Sequence, residues 1–254
     1  MSNGESRTAF VTGSARGIGR AIAEGLAADG HKVVVADLRT EQSEEVVQAI
    51  TEAGGTAFAV QLDVTDPASV TAAIEATTAK FGAVEILVNA AGWDELKPFL
   101  AGDEAFRQRV VDINYLGPLR VTHGVLPAMV EGGWGRVINI GSDAGRVGSS
   151  LESTYSGAKG GLIAFTKTLA REVARKGITA NTVCPGPTDT PMLREVIESS
   201  GNGDAVLGAM VKAVPLKRLA EPVEIAAAVS FFAQETSGYI TGQTLSVSGG
   251  LTMA

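Results

Sequence analysis

The chain has 254 residues, 45% hydrophobic and 19% charged, a length and composition suited to one large α/β domain and not to a disordered chain. One cysteine, Cys184, and two histidines, His31 and His123, exclude a disulfide scaffold and a Cys/His zinc module, so no metal site is expected. The formal charge of -7 argues against nucleic acid as a partner, because phosphate binding needs clustered positive charge.

The first residues, MSNGESRTAFVTG, lack the basic and apolar stretches of a secretory signal, and the uncharged run 236–254 is too rich in Ser, Thr and Gly to span a membrane. A reducing cytoplasm is the expected location. Glycine is in excess, 31 residues against an average near about 7%. The fold must need bare backbone somewhere.

In chain order, short β-branched runs predict strands at Thr8–Thr12, Lys32–Asp37, Thr56–Gln61, Val84–Asn89, Arg136–Ile140, Thr179–Cys184 and Thr244–Val247. Runs such as VVVAD and EILVN are nearly continuously apolar, as strands covered on both faces are, which points to a parallel sheet. Between the first two, Ile18, Ala21, Ile22, Gly25 and Leu26 repeat at helical spacing before a terminating Gly30. Asp66 followed by Pro67 opens the third helix with a cap and a first-turn proline. Strand and helix alternate without a composition break, so a single doubly wound domain with seven parallel strands is expected over residues 1–254. The proline-rich segment 187–215 interrupts the rhythm after a strand end, either as a structural excursion or as a substrate lid.

TGSARGIG at 12–19 joins the first strand to the first helix. Gly13, Gly17 and Gly19 allow a tight turn and close ligand approach, and the free N–H groups of the helix start attract a pyrophosphate. Ser14, Arg16 and Ile18 of the same turn are counted with them. Asp37, 20 residues beyond Gly17, ends the second strand, with Leu38 beside it. Its carboxylate can accept from ribose hydroxyls and would repel a 2'-phosphate, so NAD is expected over NADP, although the flanking Arg16 and Arg39 could tolerate a phosphate.

Tyr155 and Lys159 are four apart near a helix start, on one face and one turn from each other. A phenol near pKa 10 is a poor base, and a neighbouring ammonium lowers it. Ser142, 13 residues earlier, follows the strand RVINI, where ligands of a doubly wound sheet sit. Asn114 is a weak helix former inside VVDINYLG, either a solvent-facing residue or one with a specific task.

With TGSARGIG at 12–19, LDV at 62–64, NAAG at 89–92, Asn114, Ser142, YSGAK at 155–159 and PGPTDT at 185–190, the chain resembles the short-chain dehydrogenase/reductase family over essentially its whole length. The resemblance implies a Rossmann fold and a homotetramer built on the two long helices around Asp103 to Val130 and Tyr155 to Arg175 and on the C-terminal segment. It implies Tyr155 as general acid/base, Ser142 positioning the substrate oxygen, Lys159 on the nicotinamide ribose and Asn114 holding a water in a proton relay. It further places Asp63 and Val64 at adenine, Asn89, Ala90 and Gly92 along the adenosine side, and Pro185, Gly186, Thr188 and Thr190 at the nicotinamide. Ala90 stands where the family often has a second Asn.

GWDELKPF at 92–99, SDAGRVGSS at 142–150, VCPGPTDT at 183–190 and ITGQTLSVSGGLTM at 240–253 resemble the branch that oxidises 2-hydroxycyclohexanecarboxyl-CoA in alicyclic acid degradation. That implies an NAD-dependent oxidoreductase of a cyclic hydroxy acid or its CoA thioester. An NADPH-linked 3-oxoacyl-(acyl carrier protein) reductase is the alternative within the family, and an NAD(H)-binding sensor without turnover is the alternative outside it. Trp93 reads as packing or as a substrate contact, and Asp143 with Arg146 as a surface pair or as a substrate-orienting pair. His31, His123 and Cys184 read as structural. Arg194, Lys212, Lys217 and Arg218 read as a solvated surface or as a site for CoA phosphates.

Overall fold

The computed structural model describes residues 5–199 and 203–253. Seven parallel strands, β1 (Thr8–Thr12), β2 (Lys32–Asp37), β3 (Thr56–Gln61), β4 (Ile86–Asn89), β5 (Gly135–Ile140), β6 (Ile178–Pro185) and β7 (Thr244–Val247), form one sheet in the order 3-2-1-4-5-6-7. β1, β4, β5 and β6 are buried along their whole length, which is why they read as apolar runs, whereas the edge strands β3 and β7 are partly open. Alternation within β1 feeds two cores: Ala9 and Val11 point to one face, Phe10 to the other.

The helices that cover these faces are α1 (Gly17–Ala28), α2 (Thr40–Glu52), α3 (Pro67–Phe81), α4 (Glu104–Val111), α5 (Gly117–Gly132), the short α6 (Ala144–Val147), α7 (Ser153–Val173), α8 (Pro191–Ser199), α9 (Gly203–Ala213) and α10 (Pro222–Ala233). Ile22 and Leu26 of α1 pack with Ile225, Val229 and Phe232 of α10 on the first face. Val70 of α3, Val121, Val125 and Met129 of α5 and Leu169 and Val173 of α7 fill the second. Gly30 terminates α1 in the left-handed region, its N–H donating to Ala27 C=O. Asp66 caps α3 by accepting from Ala68 N–H.

Three strands differ from the sequence pattern at their boundaries. β4 begins at Ile86, not at Val84, although Glu85 still exchanges ladder bonds with Thr8 and Arg136. β5 begins one residue early, and β6 runs from Ile178 through Pro185, whose carbonyl accepts from Asp143 N–H. The segment 187–215 carries α8 and α9, and its ends are stitched together where Asp189 N–H donates to Ala220 C=O and Ala220 N–H to Pro187 C=O. Strand order reverses between β1 and β4, so the crevice at the carboxyl ends of these strands is the fold's natural ligand site. Among the described residues no helix is long and apolar enough to cross a membrane, and no cluster of His, Cys, Asp or Glu could hold a metal ion.

Candidate active site

The glycine turn lies in that crevice. Gly13 adopts φ +66, and a Cβ there would lie 2.6 Å from Ala91 Cα in the loop after β4. A Cβ on Gly19 would lie 2.2 Å from Gly13 C=O, so both positions are closed to side chains by neighbouring backbone. Thr12 Oγ1 holds the facing loop by accepting from Ala90 and Ala91 N–H at 3.0 Å. Gly17 faces Thr190 at the start of α8. The bare backbone at the start of a long helix is the cradle a dinucleotide pyrophosphate needs, so the residues present fit such a cofactor.

Asp37 is buried, and its carboxylate accepts from Ala15 N–H at 3.1 Å and Arg39 N–H at 3.0 Å. These bonds aim a fixed negative charge at the turn. Arg39 reaches the same carboxylate at 3.4 Å, and Arg16 is engaged in a two-bond ion pair with Glu195 of α8. Both arginines suggested as phosphate partners are therefore paired with acids. Ser14 is fully buried, its hydroxyl donating to Val11 C=O and accepting from Ala36 N–H, so this side chain ties β1 to β2 and leaves only its backbone for a ligand. Ile18 lies in the first turn of α1 and packs against the core. Leu38 is 57% exposed at the end of β2. Asp63 Oδ1 accepts from Thr65, and Val64 is buried against Gly117. Asn89 points inward, donating to Asn139 and Thr122, so it secures the strand ends from inside.

On the other side of the crevice Lys159 is buried, and its Nζ donates to Ile140 C=O at 2.8 Å and lies 5.6 Å from the centre of the Tyr155 ring. Burial lowers this ammonium to about 8. The Tyr155 hydroxyl is hydrogen-bonded to Ser142, whose Oγ also accepts from Ala144 N–H. Tyr155, Ser142 and Lys159 thus converge at the end of β5 and the start of α7. The phenol itself is pushed up, first by burial and then by the charges of Glu152 and Asp94, with the Ser142 bond opposing them. The lowering expected from sequence is reversed because burial dominates.

Asn114 is fully buried and not solvent-facing. It lies in a π-helical turn, Asp112–Leu116, between α4 and α5. Its amide donates to Trp93 C=O at 2.7 Å and Val110 C=O at 2.9 Å, and its oxygen accepts from Trp93 N–H at 3.3 Å. The side chain clamps the loop after β4. Trp93 packs edge-on against Phe106, with the Arg109 guanidinium 3.9 Å above its ring. Asp143 is buried, and the surface pair with Arg146 is corrected: both bond to Ser246 Oγ of β7, which donates to Asp143 and accepts from Arg146, each at 2.6 Å.

Beyond the carboxyl end of β6, Gly186 packs against Ser248, Thr188 Oγ1 donates to Gly186 C=O and Thr190 caps α8 by accepting from Leu193 N–H. Cys184 is a fully buried thiol, and His31 accepts from Arg7 N–H. Arg194 pairs with Asp189 and Arg218 with Glu224, while Lys217 donates to Lys212 C=O, so three of the cations suggested for CoA phosphates have local partners. Two acidic residues escaped the sequence reading. Asp94 is buried next to Trp93 in the chain, and Glu152, three residues before Tyr155, acts on it electrostatically. Burial and the neighbouring carboxylate hold Asp94 well above the ordinary range, with Lys159 acting in the opposite sense. An acid directly after Trp93 in a strand-end loop, GWDELKPF, was the signal available.

A parallel sheet with a glycine-lined helix start at its switch point defines the class, a dinucleotide-binding α/β protein. A family model described as enoyl-(acyl carrier protein) reductase matches residues 13–252. The 3-oxoacyl-(acyl-carrier-protein) reductase FabG of Escherichia coli K12 is 42% identical over 252 residues, covering 99% of both chains. The short-chain reductase NovJ of Streptomyces niveus is 39% identical, covering 97% of this chain and 94% of the relative. Among solved structures, an actinorhodin polyketide ketoreductase with NADPH superposes with a TM-score of 0.94 at 34% identity and 99% coverage of each chain. The chain belongs to the short-chain dehydrogenase/reductase family and is an oxidoreductase of alcohols and ketones. FabG carries the name of the alternative activity, and none of these relatives is named as the cyclic-acid dehydrogenase that the loop segments resemble.

Proposed function

We propose that the protein is an NAD-dependent dehydrogenase of a cyclic secondary alcohol, a hydroxycyclohexanecarboxylate or its CoA thioester. The observation that supports the chemistry is the Tyr155 hydroxyl bonded to Ser142, one helical turn from the buried Lys159. A bound nicotinamide dinucleotide supplies the hydride-accepting ring. As its phenolate, Tyr155 takes the substrate hydroxyl proton at Oη and becomes the neutral phenol, and Ser142 Oγ orients the same oxygen and stabilises it as the carbonyl forms. Lys159 places a positive charge near the phenol and holds the ribose, while Asn114 secures Trp93 and Asp94 beside the substrate. Gly13, Gly17 and Gly19 cradle the pyrophosphate, Asp37 takes the adenosine ribose, and the segment 187–215 serves as a substrate lid. The charge of Asp37 and the engagement of Arg16 with Glu195 favour NAD over NADP. Tyr155→Phe is expected to keep NADH binding and lose nearly all turnover, and undiminished turnover overturns this mechanism.

The likeness to the carrier-protein reductase favours a second reading, NADPH-linked reduction of 3-oxoacyl thioesters. Comparing kcat/KM for NAD(H) and NADP(H) on a cyclic hydroxy acid and on a 3-oxoacyl thioester separates the two, and a strong NADPH preference on the thioester decides for the second. A homotetramer in the cytoplasm completes the proposal; light scattering that finds a stable monomer at micromolar concentration contradicts the assembly.

A further inference from the structure

Resting on the reading of Ser142 and Tyr155 as the hydroxyls that meet the substrate oxygen, we propose that Ser246, on the edge strand β7, is a positioning residue of the reaction that fixes the Ser142 turn through Asp143 and Arg146. Ser142 follows β5 where the chain turns into α6, with Ala144 N–H donating to its Oγ at 3.1 Å and Gly145 N–H to its C=O at 3.0 Å. Asp143 carries this turn. Its C=O accepts from Arg146 and Val147 N–H, and its own N–H donates to Pro185 C=O at the end of β6. The Ser246 hydroxyl closes the turn from the side, donating to Asp143 Oδ1 and accepting from Arg146 Nη1, each at 2.6 Å. One hydroxyl of β7 thus joins the residue next to Ser142 to the last turn of α6.

The other side of α6 is held by backbone. A Cβ on Gly145 would lie 2.8 Å from both the carbonyl carbon and the Cβ of Lys159, so α6 rests directly on α7 at that lysine. The Ser142 turn is therefore gripped between α7 on one side and β6 and β7 on the other. Asp143 is only 5% exposed; among the described residues Ser246 is the one hydrogen-bond donor to its Oδ1, and its Oδ2 has none. Removing the Ser246 hydroxyl leaves a buried carboxylate without a donor, which costs far more than the bond itself. Asp143 then regains a partner only by moving towards Arg146 or water, and its backbone carries Ser142 with it. Displacing a group that orients the reacting oxygen by about 1 Å lowers the rate by up to about a hundredfold.

The test compares Ser246→Ala, Ser246→Thr and Ser142→Ala with the wild type on 2-hydroxycyclohexanecarboxylate with NAD and on 3-oxobutanoyl-CoA with NADH and NADPH. Ser246→Ala is expected to lower kcat by at least about tenfold with the KM for the dinucleotide within about twofold, and Ser246→Thr, which keeps the hydroxyl, to retain most of the rate. Hydrogen exchange of residues 141–148, followed by mass spectrometry, needs no substrate and should quicken in Ser246→Ala but not in Ser246→Thr. Arg146→Met, at a partly exposed position, withdraws the other partner of the hydroxyl and should lower kcat likewise if Ser246→Ala does not fold. Impaired Ser142→Ala beside wild-type kcat in Ser246→Ala overturns the inference and leaves the site reading standing, as does an equal fall in the Ala and Thr variants. Undiminished turnover in Ser142→Ala overturns both. If neither compound is turned over, exchange decides, and a rate unmoved in Ser246→Ala overturns the inference.

Discussion

Asn114→Ala removes a side chain that makes three hydrogen bonds in a site with no access to water. Each bond contributes about 1 kcal/mol net, and the buried Trp93 and Val110 groups left behind lose their partners, so the loss should reach about 3 kcal/mol. For a chain of this size that corresponds to a fall in Tm of roughly 6–12 °C. Urea unfolding followed by circular dichroism should show a lower midpoint at an unchanged slope, because the deletion alters stability and not the surface exposed. Turnover should fall as well, since Trp93 and Asp94 lose their anchor. Asn114→Asp sharpens the test, because a carboxylate facing two carbonyl oxygens repels them where the amide donated. It should be worse than Ala at pH 7 and recover partly in acid, where a protonated carboxyl can donate again. A loss under about 1 kcal/mol with normal turnover would refute the clamp.

Asp37→Ser should raise the NADP/NAD ratio of kcat/KM by at least about tenfold, because a unit charge near a phosphate is worth up to about 4 kcal/mol at a protein-like dielectric; an unchanged ratio contradicts the role given to Asp37. Gly19→Ala drives a methyl group into the Gly13 carbonyl, so NADH affinity, read by fluorescence titration, should fall sharply, and a normal affinity removes the turn from the cofactor site. Lys159 loses its proton in the folded chain as pH rises through about 8, while the unfolded chain keeps it to 10.5. Between those values the unfolded state binds more protons, so this group's contribution to stability improves with pH. The stability of Lys159→Met relative to wild type should therefore decline from pH 7 to pH 10, and a difference independent of pH contradicts the burial effect.

The local pattern determined much of this protein. All seven strands lie where β-branched runs place them, because strands covered on both faces must be apolar throughout, and edge adjustments amount to one or two residues. Asp66 and Gly30 cap their helices as their chemistry requires. The convergence of Ser142, Tyr155 and Lys159 was also legible, since two of the three share a helix face and the third ends a strand on the ligand-binding edge of the sheet.

The tertiary structure decided what each polar side chain touches. Asn114 became a clamp because the π-helical turn aims it at Trp93, and Asp143 was drawn inside because it meets Ser246, 103 residues away on β7, two strands from β5. Arg16 was taken up by Glu195, 179 residues distant, and Asp94 came under the charge of Glu152. Such partners are fixed by how strand ends and loops pack at the crevice, and desolvation there sets the sign of the Tyr155 and Lys159 shifts. Periodicity and spacing carry backbone geometry within an element, whereas burial and pairing depend on residues that only the folded chain brings together.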